Sequence, residues 1–378
     1  MDLTTLTMVV MLALAAVGVD TVWHPPEVIL EGSTTGKFDK VTIDQDMING
    51  ILRSEVDRIS STPTLMVKPK IELGKGSGIG MAIATAANMQ AVAYALQSKV
   101  GYQPEQLKIA LFSEDGAVKV LVTGSGGKHL SGFEQLVEQQ KGEAVVALLH
   151  RAALVGMSRI DPYLTALDLM QRHSGDKDFT DCESLINVAK SQIPPTPFSA
   201  ERSLFENLQG ILALFRGNQK DAHTWFELAT KSNANNTAAV LNHAFADLQN
   251  GHYDDAAESM ERLTHDLSAS DKVLLGTAYV TWGAAQLGQH DVNGADKLLA
   301  KAIDVNPTSS IAWELWSEVK RQKGDAAQAD QLHQQALGVA GSFENYGEIA
   351  ALYFQLAWQD NQPIVRSKFA NPSTVSFH

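Results

Sequence analysis

The sequence predicts an α+β chain: an N-terminal membrane helix, a small α/β domain, then an all-α helical solenoid. Three observations predict it. An uncharged apolar run opens the chain, strand-like and helix-like patterns alternate between residues 38 and 128, and beyond residue 200 a sparse skeleton of small residues recurs. Apolar periodicity sets element type, and repetition at a fixed interval means stacked supersecondary units.

The bulk numbers suit folded domains and exclude some functions. A length of 378 residues with 44% hydrophobic and 19% charged residues gives two or three domains with ample core material. The formal charge of −13 argues against a nucleic-acid binder, which needs a basic footprint to displace counterions. The single cysteine, Cys182, excludes an intramolecular disulfide and a cysteine-based zinc site.

Residues 1–23 read as a membrane anchor, with a cleaved signal segment and a buried soluble helix as competing readings. Leu6, Val9, Val10, Leu12, Leu14 and Val19 lie in an uncharged run, and Trp23 stands where an interfacial aromatic would. Seventeen residues of helix reach about 25 Å, and continuation to Trp23 closes the gap to a hydrocarbon core of about 30 Å. The acidic flank (Asp20, Glu27, Glu31) favours export of the rest of the chain. The expected location is therefore the bacterial cytoplasmic membrane, single-pass, with the bulk periplasmic.

Residues 24–37, with paired prolines and "GSTTG", read as an extended linker. The α/β domain is expected over 38–128. "KVTI" is a short strand, and "DQDMINGILRSEVDRISS" a helix capped by Asp44, with apolar residues at Met47, Ile48, Ile51, Val56 and Ile59. "TLMVKPKIEL" alternates as a strand. "GKGSGIGMAIATAANMQAVAYALQSKVG" is a buried helix. "LKIALFSEDGAVKVLVTG" is a hairpin turning on Asp-Gly. Residues 129–197 are expected to be a helical connector closed by "PPTP".

The recurring skeleton lies beyond. Ala222, Ala256, Ala295 and Ala329 sit 34, 39 and 34 residues apart. Seven residues after each stand Ala229, Leu263, Ala302 and Ala336; four after each stand Phe226, Met260, Leu299 and His333. Gly210, Ala244, Gly283 and Ser317 precede them, and Gly217, Gly251 and Gly324 mark turns, with His290 in place of the third. This pattern resembles the tetratricopeptide repeat (TPR), a 34-residue helix–turn–helix, in units near 203–236, 237–270, 276–309 and 310–343. Small residues would let paired helices approach, while the larger residue fills the next unit's groove. The resemblance implies a solenoid over 198–360 ending in a capping helix, "ENYGEIAALYFQLAWQ". An extended tail, 361–378, completes the chain.

No reaction is legible. "GKGSGIGMA" and "TGSGGKH" could cradle an anion on backbone amides but match no phosphate-loop pattern, and neither Ser77 nor Ser125 has a nucleophile-elbow surround. The cluster His173, Asp176, Asp178, Asp181, Cys182 and Glu183 reads as a solvated loop capping a helix, and the other histidines as scattered singly. No cofactor or metal is expected. The remaining surface is the inner face of the stack: Asn207, Ile211, Leu214, Leu241, Phe245, Leu248, Val280 and Leu287 as an apolar groove, then Glu314, Glu318 and Arg321 as a charged end. Such a groove would suit an amphipathic helix, unless the chain's own helices or C-terminal tail fill it. The expected function is a non-enzymatic, membrane-anchored scaffold or accessory subunit of a larger membrane complex. Its partners would be other protein subunits and, through the anchor, lipid. The alternative is a ligand- or nucleotide-sensing regulator using the glycine-rich loops.

Overall fold

The computed structural model describes residues 28–35, 43–64, 105–126, 130, 132–173, 178–193, 199–339 and 348–349. Several expected features lie outside them: the anchor at 1–23, the strand and helix between residues 65 and 104 with their glycine loop, Lys128 and His129 of the second glycine loop, most of the capping helix, and the tail. Among the described residues no helix is long and apolar enough to cross a membrane. The chain divides into two compact units, and the division falls between Thr165 and Ala166, with residues 63–65 belonging to the second unit.

Among the described residues the first unit holds a four-stranded sheet and two helices packed on it. Strands β1 (Val28–Thr35), β2 (Glu105–Glu114), β3 (Ala117–Ser125) and β4 (Phe133–Glu138) lie in that order across the sheet. β1 runs parallel to β2, and the other neighbours are antiparallel. The β2–β3 hairpin turns at Asp115 and Gly116, both at positive φ (52° and 81°), the backbone that makes Asp-Gly a hairpin turn. Alternation then puts Leu107, Ile109 and Leu111 of β2 beside Val122 and Val120 of β3 on one face, all fully buried. Helix α1 (Gln45–Ser60) and helix α2 (Val145–Ile160) complete this core with Ile48, Leu52, Val56, Ile59, Leu148, Leu149 and Met157.

Local chemistry explains the helices. Asp44 caps α1 by accepting from the Met47 amide at 2.8 Å. Gly156 lets α2 lie close to the sheet, because a Cβ there would meet Leu107 Cδ2 at 2.4 Å. Glu55 of α1 is buried yet ionised: burial opposes its charge, but hydrogen bonds from Arg58 and from His150 of α2 outweigh it and hold the carboxyl below its ordinary range.

Three expectations need correction here. The linker at 24–37 contains β1. Its "GSTT" is sheet, and Gly32 serves close packing, its amide donating to Asn49 Oδ1 at 2.8 Å. "FEQLVE" is strand β4 rather than helix, so the unit runs well past residue 128. The connector is accordingly no single body: β4 and α2 belong to the first unit.

The second unit is helical. After α3 (Pro162–Arg172), which the division crosses, come α4 (Thr180–Gln192), α5 (Ala200–Phe215), α6 (Gln219–Ser232), α7 (Thr237–Asn250) and α8 (Tyr253–Asp266). Then come α9 (Lys272–Gly288), α10 (Val292–Val305), α11 (Ser310–Gln322) and α12 (Ala326–Val339). From α5 onward they form four helix pairs. Ser199, Asn218, Asn236, Asp291 and Ser309 each cap the next helix with a side-chain oxygen. Gly217, Gly251 and Gly324 turn the first, second and fourth pairs at φ between 75° and 83°, and His290 turns the third at φ 64°.

Candidate functional site

The repeat skeleton packs within each pair. Ala222, Ala256, Ala295 and Ala329 are fully buried, as are Phe226, Met260 and Leu299. A Cβ on Gly210 would stand 2.4 Å from Phe226 Cε1, and one on Gly283 would stand 2.9 Å from Leu299 Cγ. In the first and third units the large residue therefore fills the hollow left by the small residue of its own unit, while Met260 and Leu299 also share clusters with the first helix of the next unit, as expected. In the fourth unit the same hollow is closed differently. Ser317 Oγ donates to the Ala329 carbonyl at 2.7 Å, and His333 pairs with buried Glu314, Nδ1 to Oε2 2.6 Å.

The first helices carry a buried polar pair. Asn207 of α5 and Asn242 of α7 are linked, Asn242 Nδ2 donating to Asn207 Oδ1 at 2.7 Å. Both amides also donate to one acceptor, the main-chain carbonyl of Glu348, at 2.9 and 2.7 Å. The Glu348 carboxylate accepts from Thr64 Oγ1. Its neighbour Ile349 is fully buried in the cluster that holds Leu241, Ala244, Met260, Leu263 and Ala278. Residues 348–349, C-terminal to the repeats, thus lie against the first helices through the Glu348 carbonyl and the Ile349 side chain.

The expected groove residues fall into three groups. Asn207, Ile211, Leu241, Phe245, Val280, Leu287 and Glu314 are buried, and residues 348–349 lie against Asn207, Asn242 and the Leu241 cluster. Leu214 and Leu248 are half-buried. Glu318 and Arg321 stand at the surface of α11, paired with each other at 2.7 Å. Beside them lies a stronger polar centre that the sequence did not single out. Asp296 of α10 accepts from Lys320 Nζ (2.6 Å), Lys323 Nζ (2.8 Å) and Trp316 Nε1 (2.7 Å). Desolvation opposes its charge, but these three donors prevail and lower its pKa to about 2.

The acidic loop resolves into separate tasks. Asp178 Oδ1 accepts from Thr180 Oγ1 at 2.9 Å, Glu183 forms a two-toothed pair with Arg216, and Cys182 is core, its thiol donating to the Ala166 carbonyl at 3.2 Å. Burial pushes that thiol up to about 12.

The histidines are not all scattered. The His223 ring stands 4.9 Å from that of His243 and 5.9 Å from that of His252, and His223 Nε2 lies 2.9 Å from Asp247 Oδ1. Antiparallel packing of α6 on α7 brings together residues well separated in sequence. The visible signal was the His243-x-x-x-Asp247 spacing, which puts both side chains on one helix face.

Four consecutive helix pairs, packed on a recurring buried small-residue skeleton and each turned at a left-handed residue, define a TPR-like stack. No protein-family model matches the chain, and no curated protein matches it. Among solved structures it is similar to MamA of Desulfovibrio magneticus RS-1 (residues 41 to end) at 17% identity and TM-score 0.38, over 49% of this chain and 98% of that one. A MamA RS-1 double mutant aligns at 18% identity and TM-score 0.37, over 48% and 96%. Pseudomonas aeruginosa pilF aligns at 13% identity and TM-score 0.41, over 58% and 94%. The TPR-like assignment stands on the helix pairs themselves.

Proposed function

We propose that the chain is a non-enzymatic scaffold, an accessory subunit of a larger bacterial membrane assembly. Residues 1–23 tether it, and the bulk of the chain lies on the periplasmic side. The observation that supports a binding role is the grip of Asn207 and Asn242 on the Glu348 carbonyl with Ile349 seated beside it. That is how a groove holds a peptide without reading most of its sequence: amide donors fix the main chain and one apolar pocket fixes register. The half-buried Leu248 and the Glu318–Arg321 end offer further contact surface along the first helices.

The test is photo-crosslinking in native membranes, with a photoreactive residue at Leu248 or at Arg321. The expected product is an adduct with a second, defined protein chain, and the adduct from the Leu248 probe should be lost when Arg321→Glu and Glu318→Lys reverse the charges at that end. Adducts confined to this chain and to lipid would contradict the proposal.

A further inference from the structure

Three imidazoles and a carboxylate converge where the first repeat unit meets the second. His243 and Asp247 sit one turn apart on α7, and His223 reaches them from α6. One nitrogen each of His223 and His243 and one Asp247 oxygen all lie within 4.8 Å of one another. The fourth group comes from the turn. Gly251, at φ 79°, folds the chain back so that the His252 amide bonds the Asp247 carbonyl at 2.9 Å, leaving His252 Nδ1 3.6 Å from Asp247 Oδ1.

We propose that His223, His243 and Asp247 form a site for a divalent transition-metal ion of the zinc class, with His252 as the fourth ligand. Three imidazoles and a carboxylate match the nitrogen and oxygen donors that zinc takes in tetrahedral sites. Zinc bonds near 2.1 Å put tetrahedral ligand atoms about 3.4 Å apart, so the His223, His243 and Asp247 atoms, now within 4.8 Å of one another, must draw together on binding, and His252 must turn toward them. His223 and Asp247 already share a hydrogen bond, and moving the ring proton to Nδ1 leaves Nε2 a lone pair for the metal. The surroundings favour a cation. Asp247 is buried, and the negative charge of Glu227 interacts with both His223 and His243. A bound ion would tie α6 to α7 and the turn after it, fixing the angle between two repeat units.

The experiment uses the tag-free full chain stripped of metal with a chelator. Calorimetric titration with zinc should show one ion per chain at micromolar affinity or tighter, and cobalt should give the visible absorption of a tetrahedral site. Zinc should also raise the unfolding midpoint by several degrees. His243→Ala and Asp247→Asn should each weaken binding by at least about tenfold. His252→Ala, at an exposed turn position, should weaken it while circular dichroism stays unchanged. Absence of a one-to-one site in the unaltered chain would overturn the proposal. So would binding that survives both His243→Ala and Asp247→Asn at full strength.

Discussion

Gly210 and Phe226 divide one volume between them: a Cβ on the glycine would come within 2.4 Å of the phenylalanine ring. Their helices, α5 and α6, can therefore touch only while residue 210 has no side chain. Gly210→Ala should destabilise the helical unit by about 1–3 kcal/mol through overpacking, despite alanine's better helix propensity. Gly338→Ala in the last turn of α12, where an added Cβ meets nothing within 4 Å, is the control and should be neutral or slightly stabilising. Urea midpoints of the two variants check both.

His290 does in the third unit what glycine does in the others, holding a left-handed turn at φ 64°. A side chain costs energy there, whereas glycine adopts that backbone freely. His290→Gly should stabilise by up to about 1 kcal/mol, with the gain reduced by glycine's greater freedom in the unfolded chain. Gly251→Ala should cost about as much. Thermal midpoints of the pair measure the two signs.

Asp296 gives acid-dependent stability. Its folded pKa of about 2 lies below the unfolded value of about 3.9, so its contribution is complete above that value and is lost as pH falls toward 2. Asp296→Asn should therefore be less stable than the unaltered chain near neutrality, and the difference should vanish between about pH 4 and 2. Urea titrations at stepped pH track that gap.

Cys182 should resist thiol reagents in the folded protein. Its thiol is buried and raised to about 12, so very little thiolate exists at mildly alkaline pH, whereas an unfolded cysteine titrates near 8.5. Disulfide-exchange colour should develop at the rate of unfolding and become immediate in denaturant. Fast labelling without denaturant would contradict the buried placement.

Features written by local rules were legible in the sequence. Asp44 caps α1, Asp-Gly turns the β2–β3 hairpin, and the 34-residue phase locates the paired helices, because each depends on residues close in the chain. Features that depend on distant pairing were not. β1 is a strand because Leu30 lies opposite Leu107, a partner that nothing in "VILEGSTT" announces. β4 exposes Leu136 while burying Val137, so its apolar residues mimic a helical stripe. Which segment covers the inner face was left open for a related reason. Helical phase says which way a residue points but not whether another segment covers it, and Ile349 lies more than a hundred residues from Leu241. The histidine cluster likewise exists only once α6 folds back on α7.

Whether this TPR-like stack serves a larger membrane assembly can be decided by extracting native membranes in mild detergent, separating the extract by size and identifying the proteins that migrate with the chain. Co-migration with a defined membrane complex, well above the chain's own 40.9 kDa, is the expected outcome. A monodisperse monomer, or a chain released without detergent, would contradict a membrane-scaffold role.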